Sequence, residues 1–174
     1  MVDEIKGEMC GFCHTKNLTL REEEMDIPYF GKVFLFSMTC SNCKFHKSDV
    51  EAADSKEPCK ITFEVESEKD LKVRVVKSSE ATVKIPQMRM SVEPGPASIG
   101  YISNVEGLLD RFEKIIEEQR DNADDPAIKK KAKNLLKKMR KVKYGDEKLK
   151  IIIEDPSGNS AIISEKTKIE KLKK

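Results

Sequence analysis

Cys10-Gly11-Phe12-Cys13 and, 26 residues further on, Cys40-Ser41-Asn42-Cys43 form a pair of Cys-x-x-Cys motifs, and the fold is decided by how they are read. Each motif makes a tight knuckle that aims both sulfurs at one point. Two knuckles at this separation bring four thiolates to a single tetrahedral Zn²⁺, with metal–sulfur distances of about 2.3 Å. A site closed by four cysteines has no open position for water or substrate, so the metal holds structure rather than performing chemistry.

Working outward, the segment between the knuckles reads as the arms of a ribbon. Asn17 to Leu20 suits a short strand, and Glu22, Glu23, Glu24 and Asp26 suggest an acidic turn. Lys32-Val33-Phe34-Leu35-Phe36-Ser37-Met38-Thr39 is a β-branched and aromatic run that delivers the second knuckle to the metal. Tyr29 and Phe30 lie between Pro28 and Gly31. They suit packing against a neighbouring domain, or an anchor pair for a partner protein, since aromatics dominate interface hot spots. The ribbon is expected over residues 1–47, with a polar loop or hinge over 48–58.

Beyond Cys59 the pattern becomes strict alternation: Ile61, Phe63, Val65; then Leu71, Val73, Val75; then Ala81, Val83, Ile85. Period two with polar turns between the runs predicts antiparallel strands buried on one face. Residues 59–102 and 144–166 therefore read as one β domain, a hairpin around Asp155-Pro156-Ser157-Gly158-Asn159-Ser160 completing its sheet. Residues 103–143 read as an inserted helical hairpin, and 167–174 as a polar tail. Ser103 and Glu106 have capping-box spacing ahead of Val105, Leu108, Leu109, Phe112, Ile115 and Ile116 at helical intervals. Asp125 and Pro126 open a second helix with Ile128, Ala132, Leu135, Met139 and Val142 on a narrower stripe. The class is α+β, mainly β.

Charge is uneven. Residues 1–102 carry 14 basic and 17 acidic side chains, whereas 103–174 carry 19 and 14. Segment 129–143 alone holds nine basic residues and no acid. This face suits solvation and contact with the acidic first helix; the alternative is a docking surface for an acidic protein or for nucleic acid, although the aromatic platforms typical of RNA-binding modules are missing. With no apolar signal segment and four of five cysteines at metal spacing, a reducing cytoplasmic location is expected, without membrane insertion.

The remaining reactive side chains form no evident catalytic constellation. His14 and His46 flank the knuckles, but four cysteines leave no need for them on the metal. Cys59 stands alone at a strand start and reads as a small packing residue. Gly-rich phosphate loops are absent, and no nucleophile has an evident base. A non-enzymatic protein is expected.

Several separated segments together resemble the ZPR-type zinc-finger family in its archaeal single-module form. They are Cys10 to Cys13; Ile27-Pro28-Tyr29-Phe30; Ser37 to Cys43; Asp70-Leu71 through Val75-Val76-Lys77-Ser78; Ile85-Pro86; Val105-Glu106-Gly107-Leu108-Leu109; and Asp155 to Ser160. Lys44 stands where the family often has glycine, and Ser103-Asn104 where it often has two threonines. The resemblance implies a four-cysteine zinc finger, with Cys10, Cys13, Cys40 and Cys43 as ligands, joined to a β-sandwich-like domain resembling a double-stranded β-helix with a helical hairpin. It further implies binding to translation elongation factor 1-alpha and assistance in its folding, the role of the eukaryotic relatives.

Overall fold

The computed structural model describes residues 2–27, 31–53 and 56–172. Its N-terminal part is a four-stranded antiparallel meander of β1 (Val2–Glu8), β2 (Leu18–Ile27), β3 (Gly31–Cys40) and β4 (His46–Ala52), in that order. The acidic stretch is not a turn. Glu22, Glu23, Glu24 and Asp26 continue β2 opposite β3, from Leu18↔Cys40 at one end to Ile27↔Gly31 at the other. Most side chains of the strand keep contact with water, which tolerates this charge, and cross-strand pairing absorbs part of it: Lys32 Nζ lies 2.6 Å from Glu24. Carboxylate-rich composition therefore misleads where a strand has no buried face to impose alternation.

Residues 48–52 belong to β4 rather than to a hinge. Val50 turns inward while the other edge of β3 acquires its hydrogen-bonding partner, so only one apolar side chain marks the strand in the sequence. The same strand fixes the ribbon to the second domain. Gly100 N donates to Ser48 O (3.0 Å), Ser48 Oγ returns a bond to Gly100 O (3.1 Å), and Ala52 N donates to Asn159 Oδ1 (3.1 Å). The Asp49 carboxylate accepts from the amide (3.1 Å) and hydroxyl (2.5 Å) of Ser79. Beneath these bonds Ile27, Val33 and Val50 pack on Val76 and Ala161, all buried. An apolar seam with several directional bonds joins the two parts.

The second domain comprises β5 (Cys59–Val65), β6 (Arg74–Lys77), β7 (Thr82–Ile85), β8 (Met90–Val92), β9 (Tyr101–Asn104), α1 (Val105–Asn122), α2 (Pro126–Lys143), β10 (Leu149–Asp155), β11 (Ala161–Ile162) and β12 (Lys168–Lys171). One antiparallel sheet runs β12-β5-β10-β7-β8 and another β11-β6-β9. Strand β10 is central because Ile151 and Ile153 are both buried, opposite Phe63 and Ile61 of β5, with Val83 of β7 on the other side. Part of the polar tail is a strand: β12 adds to β5 through Lys168↔Thr62 to Lys171↔Cys59. Its side chains are exposed, so the backbone ladder, with an ion pair of Lys171 to Glu57 at 2.8 Å, orders it and the sequence carries little hydrophobic signal.

Leu71 is buried as expected, but in a 3-10 turn over Glu68–Lys72 rather than in a strand. Asp70 makes this turn. Its Oδ2 accepts from the amides of Glu66 (2.9 Å) and Ser67 (3.1 Å), and Lys166 Nζ approaches to 3.1 Å. Burial alone would raise this carboxyl; the Glu66 amide, Lys166 and the Ser67 amide outweigh it and hold its pKa below the ordinary value. A carboxylate with a depressed folded pKa stabilises above its unfolded pKa and loses that contribution as pH falls through the folded value. Asp70→Asn is thus expected to cost about 2 kcal/mol at neutral pH. The gap to wild type should close in acid, as urea unfolding at several pH values would show.

The helices pack as a hairpin over the sheet. The α1 cap is Asn104, whose Oδ1 accepts from Gly107 N at 2.8 Å, and not Ser103. At Gly107 a Cβ would lie 2.4 Å from Ser103 Oγ, so a larger residue would have to turn that hydroxyl aside. Asp125 caps α2 as expected, accepting from Ala127 N at 2.7 Å. Leu136, Met139 and Val142 are buried, whereas Ile128 is exposed. Lys143 reaches both Asp110 and Glu113 of α1, so part of the basic charge does face its neighbour.

Candidate metal centre

Strands β2 and β3 end side by side at Leu18↔Cys40, and this delivers the second knuckle beside the first. The two knuckles share one hydrogen-bonding plan. Cys10 N donates to Thr15 O (2.9 Å) and His14 N returns to Cys10 O (2.9 Å); Cys40 N donates to Phe45 O (2.8 Å) and Lys44 N to Cys40 O (3.0 Å). The plan turns the chain through the left-handed region at the equivalent positions His14 (φ 53°) and Lys44 (φ 62°). Glycine suits these positions, because side chains cost about 1 kcal/mol there. Lys44→Gly should therefore raise stability by up to about 1 kcal/mol without changing metal content, as thermal unfolding with metal analysis would show.

The four thiols converge. Cys10 and Cys43 sulfurs are 3.8 Å apart, Cys13 and Cys40 sulfurs 3.6 Å, and all four lie within 4.8 Å of one another. A tetrahedral zinc at 2.3 Å from each sulfur needs them about 3.8 Å apart. Cys10 and Cys40 are fully buried and Cys43 is exposed. The local polar groups favour thiolates unequally. The Thr15 hydroxyl and amide, with Asn42, pull the Cys13 thiol down to about 5. At Cys43 the Phe45 amide lowers the value, but burial and the sulfurs of Cys40, Cys13 and Cys10 prevail and push it up to about 12. Four sulfurs so close resist full ionisation unless a cation compensates them, and a divalent metal supplies that charge.

Neither histidine joins the cluster. His14 is exposed, and His46 sits on β4 with Nδ1 3.0 Å from Thr39 Oγ1. Cys59 opens β5, half buried; burial, with the Asp155 carboxylate, pushes its thiol up to about 11, which keeps it protonated and unreactive at neutral pH. Tyr29 and Phe30 lie outside the described residues. Their neighbours Ile27 and Gly31 occupy the end of the ribbon away from the metal, roughly 30 Å along a ten-residue strand.

Sequence reasoning missed the aromatic pair at the metal itself. Phe12 from the first knuckle stacks on Phe45, which follows the second, with ring centroids 4.3 Å apart at 31°. Phe12 is nonetheless 71% exposed. Its place inside a Cys-x-x-Cys loop, where no core can form, was the available signal.

The Asp155 to Ser160 stretch is also more than a turn. Asp155 is buried and accepts from Ser78 Oγ (3.0 Å), Ser157 N (2.9 Å) and Ser157 Oγ (2.7 Å). Ser160 Oγ accepts from Ser78 N at 3.0 Å. Together with the bond that Asn159 accepts from Ala52 N on β4, this corner ties both domains to one another.

Known proteins share this arrangement. A ZPR1 zinc-finger domain model matches residues 4–58 and a ZPR1 jelly-roll domain model residues 69–174. An uncharacterised ZPR1-like protein of Methanocaldococcus jannaschii is 41% identical over 157 residues, covering 90% of this chain and 79% of that protein. One from Pyrococcus horikoshii is 38% identical over 178 residues, covering 99% and 79%. The zinc finger chaperone of Schizosaccharomyces pombe is 33% identical over 167 residues, covering 92% of this chain but 35% of its own length. With a closed four-cysteine zinc site on a ribbon fixed to a jelly-roll domain, the chain belongs to the ZPR1 zinc-finger family as a single zinc-finger and jelly-roll module.

Proposed function

We propose that this protein is a non-enzymatic, zinc-dependent protein-binding module that assists the folding of a client, with translation elongation factor 1-alpha as that client. The observation that carries the reading is the exposed Phe12 ring stacked on Phe45 at the metal tip. Water-exposed aromatic surface on a rigid support is costly unless a partner covers it, and such rings supply most of the energy in interface hot spots. The zinc, closed to substrate, fixes the two knuckles and so the ring pair. The name of the Schizosaccharomyces pombe relative supports a chaperone role, and the resemblance of the motifs supports the choice of client. Tyr29 and Phe30 are retained as a second candidate contact.

Capture of clients from native lysate tests this. Wild type should retain the elongation factor; Phe12→Ala should lose about 30-fold in affinity, an effect of about 2 kcal/mol, while keeping its zinc. Tyr29→Ala reports the second contact separately. Absence of any translation factor on wild type would sink the choice of client.

A second reading, nucleic-acid binding through α2, draws on one feature. Lys129, Lys133, Lys137 and Lys141 stand at successive i, i+4 positions on one ridge, where like charges repel. Of these, Lys141 is paired with Glu147 at 3.0 Å. Such binding would weaken steeply with salt and with neutralisation of Lys129, Lys133 and Lys137; no binding at low salt ends it.

A further inference from the structure

Lys77 is a buried cation. It lies at the end of β6, 5% exposed, yet among the described residues no carboxylate comes within 4.0 Å of its ammonium. Its one hydrogen bond, to Ser78 O at 2.8 Å, uses one of three protons. Buried charges in proteins are ordinarily paired, because taking an ammonium out of water costs several kcal/mol.

A second cation shares its aromatic neighbour. The Lys77 ammonium is 5.8 Å and the Arg111 guanidinium 4.0 Å from the centroid of the same Tyr101 ring. The aromatic ring attracts each of them by about 1–2 kcal/mol, too little to offset both the burial and their mutual repulsion. Burial holds the Lys77 pKa below its ordinary value even though the Asp155 and Asp49 carboxylates act in the opposite sense, and Arg111 adds a smaller effect in the same direction as burial.

These groups line one cavity of about 600 Å³ between β6, β9 and α1. Lys114 contributes a third positive charge, Ser103 a hydroxyl, and Val83 and Phe112 part of an apolar wall. The one acid on its rim, Asp110, is already engaged by Lys143 at 2.5 Å. Neither Arg111 nor Lys114 has an ion-pair partner among the described residues. Two segments far apart in the chain, Val75 to Ser78 and Val105 to Leu109, meet here, and both are among those that carry the family resemblance.

The geometry points to a binding site for a small dianion, a phosphate or carboxylate group carried on a partly apolar molecule, held by Lys77 and Arg111 beside Tyr101. The anion would neutralise both cations at once and accept the protons Lys77 leaves unused. The apolar wall takes the apolar part of the ligand. The site lies on the jelly-roll domain and is independent of the aromatic tip.

Titration calorimetry of the zinc-loaded full chain with inorganic phosphate, and separately with succinate, tests the site at constant ionic strength set with chloride. Saturable 1:1 binding of at least one dianion is expected, and the two arms tell phosphate from carboxylate. Lys77→Met and Arg111→Gln should each weaken it at least tenfold. No saturable binding of either dianion overturns the inference. Wild-type affinity in Arg111→Gln, an exposed position on α1 whose replacement leaves the core intact, overturns it too, whatever the fate of Lys77→Met.

Discussion

Cys40→Ser is expected to take the zinc content from one equivalent per chain to near zero and to disorder the ribbon tip. Cys40 is fully buried, ends β3, and its amide and carbonyl both hold the second knuckle through Phe45 and Lys44. A hydroxyl in place of the thiolate removes a ligand from a closed set, and structural zinc in finger peptides contributes about 10–16 kcal/mol of folding free energy at neutral pH. The three sulfurs left behind take up protons once the metal is gone and no longer tie the knuckles together. The β-domain core is separate, built on Ile61, Phe63, Ile151 and Ile153 under α1, and should survive. Metal analysis, with amide exchange resolved by segment, would show fast exchange over 10–20 and 38–46 and protected amides in β5 and β10. A variant retaining one equivalent of zinc would contradict the ligand set.

Gly158→Ala should be the most damaging single-methyl change in the chain. Gly158 sits at φ +72°, where side chains are strained, and a Cβ would lie 2.5 Å from the backbone oxygen of Glu57 and 2.9 Å from Lys56 Cβ. Backbone cannot swing aside as a side chain does. The corner holding Asp155, Asn159 and Ser160 would have to shift, breaking bonds to Ser78 and Ala52. The strain and the lost bonds amount to about 3 kcal/mol or more. At about 2–4 °C per kcal/mol for a chain of this size, thermal unfolding should fall by roughly 6–12 °C. Gly11→Ala is the control, since nothing lies within 4 Å of its Cβ position.

The metal site was legible because its chemistry is local: cysteine spacing alone specifies the knuckles, and the structure brings the four sulfurs together. The jelly-roll core was legible where one face is buried, so Ile61, Phe63, Val65, Val83 and Ile85 alternate as read. Legibility failed where burial is weak. Strands β1 and β12 are exposed throughout, β4 buries only Val50, and the acidic end of β2 is held by ladder bonds that any side chain permits. It failed also at the domain seam. A polar stretch over 48–58 looks like a hinge unless the distant Ser79, Gly100 and Asn159 are known to meet it. The aromatic tip and the Lys77 cavity are likewise products of tertiary contact, assembled from Phe12 with Phe45 and from Lys77 with Arg111.

That the zinc is a closed structural support, on which the proposed recognition role rests, is tested most directly by zinc X-ray absorption on the purified chain. Four sulfur scatterers at about 2.3 Å and no lighter ligand are predicted. A nitrogen or oxygen in the first shell, from His14, His46 or water, would contradict the account, because it would give the metal the exchangeable position that hydrolytic chemistry requires.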